Sequence, residues 1–234
     1  MSRGRPPKVD HIRNGFIYQI SVARNLETAV QRLAAIHPGA GPHLHPKHVF
    51  RSVELAFMGV CAAWEDFLEA TMIRYLAGAK TNSGYEPNLR VGPCQGILHA
   101  YQLISGKPDY DPENQFLPWT NPTSAVKLAA VLFAAGAPYK APMQREADRL
   151  KQAAKIRNRV AHASEKCKSD FKEAANAILQ RNSMTPLGQG FRAGELLSTK
   201  AGAFFGAGVP ALNISIFEAY MRSFDKLAKE IVPL

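Results

Sequence analysis

The sequence has few of the features that mark exported, membrane-spanning or disulfide-stabilised proteins. Of its 234 residues only three are cysteines (Cys61, Cys94 and Cys167), and no Cys-x-x-Cys spacing occurs. An odd number of thiols without that spacing argues against a disulfide scaffold and a thiolate zinc site. No apolar run approaches the length of about 18 residues that suggests a membrane span, and none follows the basic N-terminus as in a signal peptide. We therefore expect a cytoplasmic protein with no membrane partner.

Acidic residues are scarce relative to basic ones. The chain has 19 Asp and Glu against 29 Lys and Arg, which gives a formal net charge of +10 with its His residues neutral. The hydrophobic fraction of 46% is ordinary for a globular protein with a sizeable core and argues against a disordered chain. A positive surplus favours a polyanionic partner, because Lys and Arg contacts to phosphate supply most non-specific affinity for nucleic acids.

Internal repeats and strand-like alternation are both absent, and the apolar residues recur with helical spacing. The strongest pattern predicts one long helix from about residue 46 to 77, with Pro46 in its first turn and Gly78 at its end. In the last predicted helix, Phe217, Tyr220 and Phe224 recur at the spacing of a buried helix face. Further helices are predicted over residues 17–36, 94–104, 124–135, 142–163, 169–180 and 214–231. The sequence therefore predicts an all-α helical bundle.

The chain is expected to form one domain preceded by an arm. Residues 1–16 are basic and contain the pair Pro6-Pro7, which bars a helix there, so we predict a flexible arm. Residues 17–234 then form a single helical domain. Within it, residues 182–212 are rich in glycine and lack periodicity, which predicts a loop or hairpin before the last helix. Asn213 is the expected N-cap of that last helix.

The most informative motif is Arg157-Asn158-Arg159-Val160-Ala161-His162, at the end of a predicted helix. Asn158 and His162 are four residues apart and share a helix face, and the long Arg157 side chain can span the remaining offset. An imidazole can move a proton near neutral pH, a guanidinium can hold a phosphate, and an amide can orient the phosphate or the imidazole. These groups suffice for cleavage of RNA without a metal, in which a 2′-OH attacks the adjacent phosphorus.

This motif resembles that of the HEPN superfamily (higher eukaryote and prokaryote nucleotide-binding domains), whose ribonuclease members carry an Arg, four to six residues and a His. Arg157 to His162 matches that pattern, including its Asn, and the long helix carries a polar and aromatic stretch at residues 64–69. The resemblance implies a HEPN-like helical bundle with its core in residues 17–181 and 213–231. It also implies a metal-independent endoribonuclease that leaves a 2′,3′-cyclic phosphate and needs no cofactor.

The resemblance further implies partners and supporting residues. Two copies of the motif are expected to face each other across one composite cleft of a homodimer. The chain resembles in particular the HEPN proteins of RNA processing and of toxin or anti-phage defence systems, which implies an antitoxin or sensor protein. In the family a polar residue of the long helix approaches the Arg-His pair, so Glu65 or Glu69 could orient one of them, although both carboxylates could equally be solvated or ion-paired. Residues expected to contact RNA are the cations around the motif: Lys151, Lys155, Arg159, Lys166 and Lys168.

Other interpretations remain open. The chain could be a non-catalytic HEPN-like module that binds RNA, a nucleotide or a protein, with Arg157 and His162 merely solvating the end of a helix. The Pro-flanked cluster His43, His45 and His48 could bind a transition metal, or could be a polar turn before the long helix. No Gly-x-x-x-x-Gly-Lys-Ser/Thr loop and no Gly-x-Ser-x-Gly elbow occurs, so neither a P-loop nucleotide site nor that class of serine hydrolase is indicated.

Overall fold

The described part of the chain is helical. The computed structural model describes residues 8–35, 44–181 and 187–234, and over these residues no strand forms beyond three isolated β-bridges. The helices of the described residues are α1 (Asp10–Ala35), α2 (Pro46–Leu76), α3 (Ile97–Ser105), α4 (Pro122–Leu132), α5 (Lys140–Arg145), α6 (Ala147–Ala161), α7 (Glu165–Ile178), α8 (Ala193–Ser198) and α9 (Ile216–Ile231). The predicted all-α class is confirmed. None of these helices combines the length and hydropathy needed to cross a membrane.

Helix α2 begins and ends where the sequence predicts, because both ends are capped locally. At its start the backbone N–H of Lys47 donates to Nδ1 of His45 over 3.1 Å. At its end Gly78 has a φ of +84°, a conformation that glycine adopts without a steric penalty. The amide of Ala79 donates to the carbonyl of Arg74 and that of Gly78 to the carbonyl of Tyr75, which is the Schellman pattern of helix termination.

Helix α1 begins earlier than the sequence predicts. Residues 10–16 belong to this helix, so the flexible arm predicted over residues 1–16 is wrong for that stretch, while residues 1–7 lie outside the described residues. Arg13 is buried, and its Nη1 donates to the carbonyls of Val232 and Pro233 over 3.0 and 3.1 Å. Asp10 is buried 3.7 Å from the same guanidinium. These polar contacts stabilise the start of α1. The stretch has too few apolar residues for its sequence pattern to predict a helix.

The contacts of the chain divide it into two units, and each has its own core. In the described residues the first unit comprises 8–18, 63–147 and 225–234. Phe16, Trp64 and Phe67 form a buried ring cluster with centroids 5.2 to 5.7 Å apart. Two polar groups of this unit pair in its interior, where the Tyr139 hydroxyl lies 3.0 Å from Oγ1 of Thr71. Burial raises the pKa of Tyr139 well above its usual value, which keeps this phenol neutral.

In the described residues the second unit comprises 19–35, 44–62, 148–181 and 187–224, and it is built around aromatic residues of α9. Phe217, Tyr220 and Phe224 are all buried, which confirms their predicted place in the core. The ring of Tyr220 lies edge-on to those of Phe57 and Phe205, with centroids 5.2 and 4.9 Å apart, an arrangement favoured by the aromatic quadrupole.

Three predicted details near the later helices are wrong. The single helix predicted over residues 142–163 is two helices, α5 and α6, which are interrupted at Glu146. The described part of the predicted 182–212 loop contains α8 and two short 3₁₀ turns instead of a hairpin, and residues 182–186 lie outside the described residues. Asn213 does not cap α9, because Oγ of Ser215 accepts the amide of Glu218 over 3.1 Å, whereas Asn213 has a φ of +51°.

Two glycines of the second unit lead to opposite predictions. A Cβ at Gly194 would lie 2.1 Å from the carbonyl oxygen of Phe50, and the Gly194 amide donates to Oε1 of the buried Glu54. Gly194→Ala should lower the free energy of unfolding by about 3 kcal/mol, because a backbone clash cannot be relieved by a side-chain rotation. Urea denaturation monitored by circular dichroism measures this change.

The matched control is Gly59→Ala, in an exposed position of α2 with nothing within 4 Å of the new Cβ. We expect this variant to raise stability by about 0.5 to 1 kcal/mol, because alanine loses less backbone entropy in a helix. Equal effects of the two substitutions would contradict the close approach of α8 to α2.

Candidate functional site

The Arg157–His162 motif occupies the last turns of α6 and the residue that follows. Arg157 and Asn158 lie on the helix and are partly exposed, while His162 is exposed one residue beyond its end. The His162 amide still donates to the carbonyl of Asn158 over 2.9 Å, so the backbone continues the helical turn and keeps both residues on one face, as predicted. Arg159 donates from Nη1 to the His162 carbonyl over 3.2 Å and closes this turn.

The side chain of Asn158 contacts the arginine of the motif. Its Oδ1 accepts a hydrogen bond from Nη1 of Arg157 over 3.2 Å. The sequence suggested that this amide orients a bound phosphate or the imidazole, and in the described residues it contacts Arg157 and not His162. The amide instead restrains a guanidinium, which reduces the side-chain entropy that Arg157 would lose on binding an anion.

A short connection places His162 between two helix ends. Only residues 162–164 separate α6 from α7, and Oγ of Ser164 accepts the Cys167 amide as the N-cap of α7. The carbonyl end of one helix and the amide end of another therefore flank the imidazole. The amide end favours an anion, although the exposed carboxylate of Glu165 already lies in that first turn.

Several of the predicted RNA-binding cations form ion pairs with carboxylates, so their positive charge is partly neutralised. Lys155 is largely buried, and its Nζ lies 2.7 Å from Oε1 of Glu173. This hydrogen-bonded ion pair lowers the pKa of the Glu173 carboxyl. Two further predicted cations are paired as well: Lys166 with Asp170 at 3.1 Å and Lys168 with Glu165 at 2.5 Å. Because these last two pairs are exposed, a polyanion can still compete for their lysines.

Glu65 and Glu69 lie in the first unit, whereas the motif lies in the second. Glu69 accepts hydrogen bonds from the Tyr101 hydroxyl at 2.9 Å and from Nε1 of Trp119 at 2.5 Å. Glu65 accepts from the Thr120 hydroxyl at 3.3 Å. The sequence left open whether these carboxylates orient the Arg-His pair or have partners elsewhere. The contacts of Glu69 favour the second interpretation, because they tie the segment around Trp119 to α2.

The histidine cluster before α2 is only partly within the described residues. His43 lies outside them, and the rings of His45 and His48 are 6.3 Å apart. Nδ1 of His45 accepts the Lys47 amide and so serves as a helix cap. In the part of the chain that the structure describes, no group of three His, Cys, Asp or Glu residues is arranged to hold a metal ion.

A cavity of about 440 Å³ adjoins the motif, and sequence reasoning did not find it. Among its described lining residues are Arg159 of the motif, Lys168, Lys172 and Asn176 of α7, and Phe191. Residues 168, 172 and 176 are four apart and so lie on one helix face. This spacing was the one signal in the sequence that could have indicated the α7 side of the cavity. Phe191 joins them only through the tertiary fold, because it follows a segment without helical periodicity.

Comparisons of the chain with protein-family models, curated proteins and solved structures found no match.

The contacts of Glu69 predict a structural penalty for its removal. Glu69→Ala leaves the half-buried Tyr101 hydroxyl and the Trp119 indole N–H without an acceptor. We expect a loss of about 1 to 3 kcal/mol in the free energy of unfolding, because buried donors without partners are costly. Urea denaturation measures it, with Asp66→Ala as a control, since Asp66 is an exposed carboxylate of the same helix. Equal stability of the two variants would contradict the anchoring role.

Proposed function

We propose that the protein is a HEPN-type, metal-independent endoribonuclease that uses Arg157, Asn158 and His162. The observation that carries this proposal is the local arrangement of the motif: the imidazole of His162 is exposed one residue past α6, and the Asn158 amide restrains the Arg157 guanidinium in the preceding turn. The matching residue pattern, its place at a helix end and the all-helical fold support the proposal. We also propose that the protein is cytoplasmic.

The proposed chemistry proceeds in one displacement at phosphorus. A His162 imidazole removes the proton of a ribose 2′-OH, and the oxygen forms a bond to the adjacent phosphorus. The bond from phosphorus to the 5′-oxygen breaks, an imidazolium returns a proton to that oxygen, and a 2′,3′-cyclic phosphate remains. The Arg157 guanidinium stabilises the added negative charge of the transition state, and Asn158 holds the guanidinium in place.

Two protonation states of imidazole are needed in this reaction, one as base and one as acid. A homodimer with one composite cleft supplies both, because each protomer contributes one His162 and one Arg157. We propose this assembly, and we propose a toxin or anti-phage defence role in which an antitoxin or sensor protein restrains the activity. The basic residues around the motif, with Lys151 and Arg159 among them, then contact the RNA backbone.

The first test replaces the proposed acid or base. His162→Ala should lower the rate of RNA cleavage by about 100-fold to 10⁴-fold, the usual contribution of a positioned proton-transfer group. Cleavage by the unaltered protein should persist in EDTA and yield fragments ending in cyclic phosphate. Electrophoresis of total RNA after incubation with each protein provides the measurement.

The control for that test is His48→Ala, because His48 is an exposed histidine outside the motif. It should cleave as fast as the unaltered protein. Retarded but intact RNA with the unaltered protein would instead support the alternative, a non-catalytic RNA-binding module, which the basic cavity beside the motif favours. Full activity of a folded His162→Ala protein would rule out the proposed catalytic role.

The second test addresses the composite cleft. Unaltered protein mixed with an equal amount of His162→Ala protein should lose about half of its cleavage activity after subunit exchange, because the composite cleft needs one imidazole as base and a second as acid. Before exchange half of all dimers carry two intact His162 residues, and after random exchange only one quarter do. Cleavage assays before and after subunit exchange measure this loss. An activity that does not change on exchange would contradict a cleft shared between protomers.

A further inference from the structure

The described residues that line the cavity beside the motif all belong to the second unit. We call it the α7 cavity, because Lys168, Phe171, Lys172 and Asn176 of α7 line one side of it. Arg159 contributes from the motif, and the segment 187–191 contributes the opposite side. Its volume of about 440 Å³ lies in the range of small-molecule sites.

The charged groups of the α7 cavity are all positive. Arg159, Lys168 and Lys172 line it, and no carboxylate occurs among its described lining residues. Glu165 lies outside that lining, pairs with Lys168 and also interacts electrostatically with Lys172 and Arg159, which lowers the pKa of its carboxyl. This carboxylate is exposed and screened by solvent, so the three cations keep a positive surplus over it. Three cations at one concave surface favour an anion, and the planar guanidinium of Arg159 suits a phosphate group.

The same cavity has an aromatic wall. Phe171 is buried and Phe191 is partly exposed, with their ring centroids 6.3 Å apart and their planes 20° from parallel. A simple anion such as inorganic phosphate would leave this surface unused. A ligand that joins a flat aromatic group to a phosphate uses both surfaces, since nucleobases stack on aromatic side chains.

Asn176 supplies an unsatisfied polar group. Its Oδ1 is buried without a hydrogen-bond partner, which costs free energy. The residue as a whole is partly exposed and lines the cavity, so a rotation of the amide brings its polar edge to a ligand there. An amide offers an acceptor and a donor side by side. Adenine presents the complementary pair, the N6 amino group beside a ring nitrogen, which is the reason Asn and Gln recognise this base.

We propose that the α7 cavity binds a single adenine nucleotide. Its phosphate contacts Arg159, Lys168 and Lys172, and its base stacks on Phe191 with the donor and acceptor edge toward Asn176. The inference rests on the proposed function for the source of the nucleotide, which is an RNA strand bound beside the motif. Because Arg159 belongs both to the motif and to the cavity, the bound nucleotide lies close to the phosphate that is cleaved.

Calorimetric titration of the full chain carrying His162→Ala tests the proposal without turnover. The probes are AMP, UMP, inorganic phosphate and a hexamer of adenylate. AMP should bind at least about tenfold more tightly than UMP or phosphate, the range expected for one bidentate amide contact. The hexamer should bind more tightly than AMP. A hexamer that binds no better than AMP would overturn the assignment to an RNA strand and leave a free nucleotide as the ligand.

Two lysine variants locate the site. Lys172→Gln should weaken AMP binding by about three- to tenfold, with a larger effect at low salt. Lys127→Gln is the control, since Lys127 is an exposed lysine of α4 outside the cavity lining, and it should leave AMP binding unchanged. Equal losses in both variants, or inorganic phosphate binding as tightly as AMP, would show a non-specific anion surface and overturn the proposal.

Asn176→Ala separates recognition from structure. It should bring AMP affinity down to that of UMP without lowering the melting temperature, because the deleted oxygen has no partner in the free protein. A fall in melting temperature with an unchanged AMP preference would mean that Asn176 acts only in folding, which overturns its role in recognition.

The two proposals fail separately. AMP binding that depends on Lys172 and Asn176, in a protein that does not cleave RNA, supports the nucleotide site and rejects the nuclease. RNA cleavage that depends on His162, in a protein that binds no AMP or whose cavity variants bind AMP as tightly as the unaltered protein, keeps the nuclease and overturns the nucleotide site.

Discussion

Residues 162–164 join the end of α6 to the N-cap of α7, and the geometry of the candidate site depends on this short connection. The His162 amide completes the last turn of α6 through the Asn158 carbonyl, and two residues later Ser164 begins the cap of α7. A longer connection would allow the histidine to move away from both helices. The short one holds it at the surface beside the cations of α7 and the cavity that they line.

The carboxylates of this basic protein have mainly structural uses in the described residues. Glu54 accepts the Gly194 amide, and Glu69 accepts from Tyr101 and Trp119, so each ties α2 to another segment of its own unit. Around the motif, Glu165, Asp170 and Glu173 are ion-paired with lysines, and this reduces the local positive charge. The number of Lys and Arg residues around the motif therefore overstates the positive field there, whereas the net charge of +10 already counts these carboxylates.

Helices that the sequence predicted well are those whose ends are controlled by neighbouring residues. For α2, the proline of its first turn and Gly78 after its end act within one helical turn, so a local pattern suffices. The start of α1 could not be found in this way. Arg13 is held there by carbonyls 219 and 220 residues away, and a polar residue in such an environment looks exposed in any local pattern. A local sequence pattern was equally unable to decide whether Asn213 or Ser215 caps the N-terminus of α9. In the structure Ser215 is the cap.

The sequence by itself determined the all-helical class, the position of α2 and the order of Arg157, Asn158 and His162 at a helix end, because apolar periodicity and caps act over a few residues. Only the tertiary structure decided which acidic groups neutralise which lysines, that Glu69 anchors Trp119, and that Phe191 joins Lys172 and Asn176 around one cavity. These contacts join segments that are far apart in the sequence. Their free energies depend on burial, and burial arises only when the helices pack together.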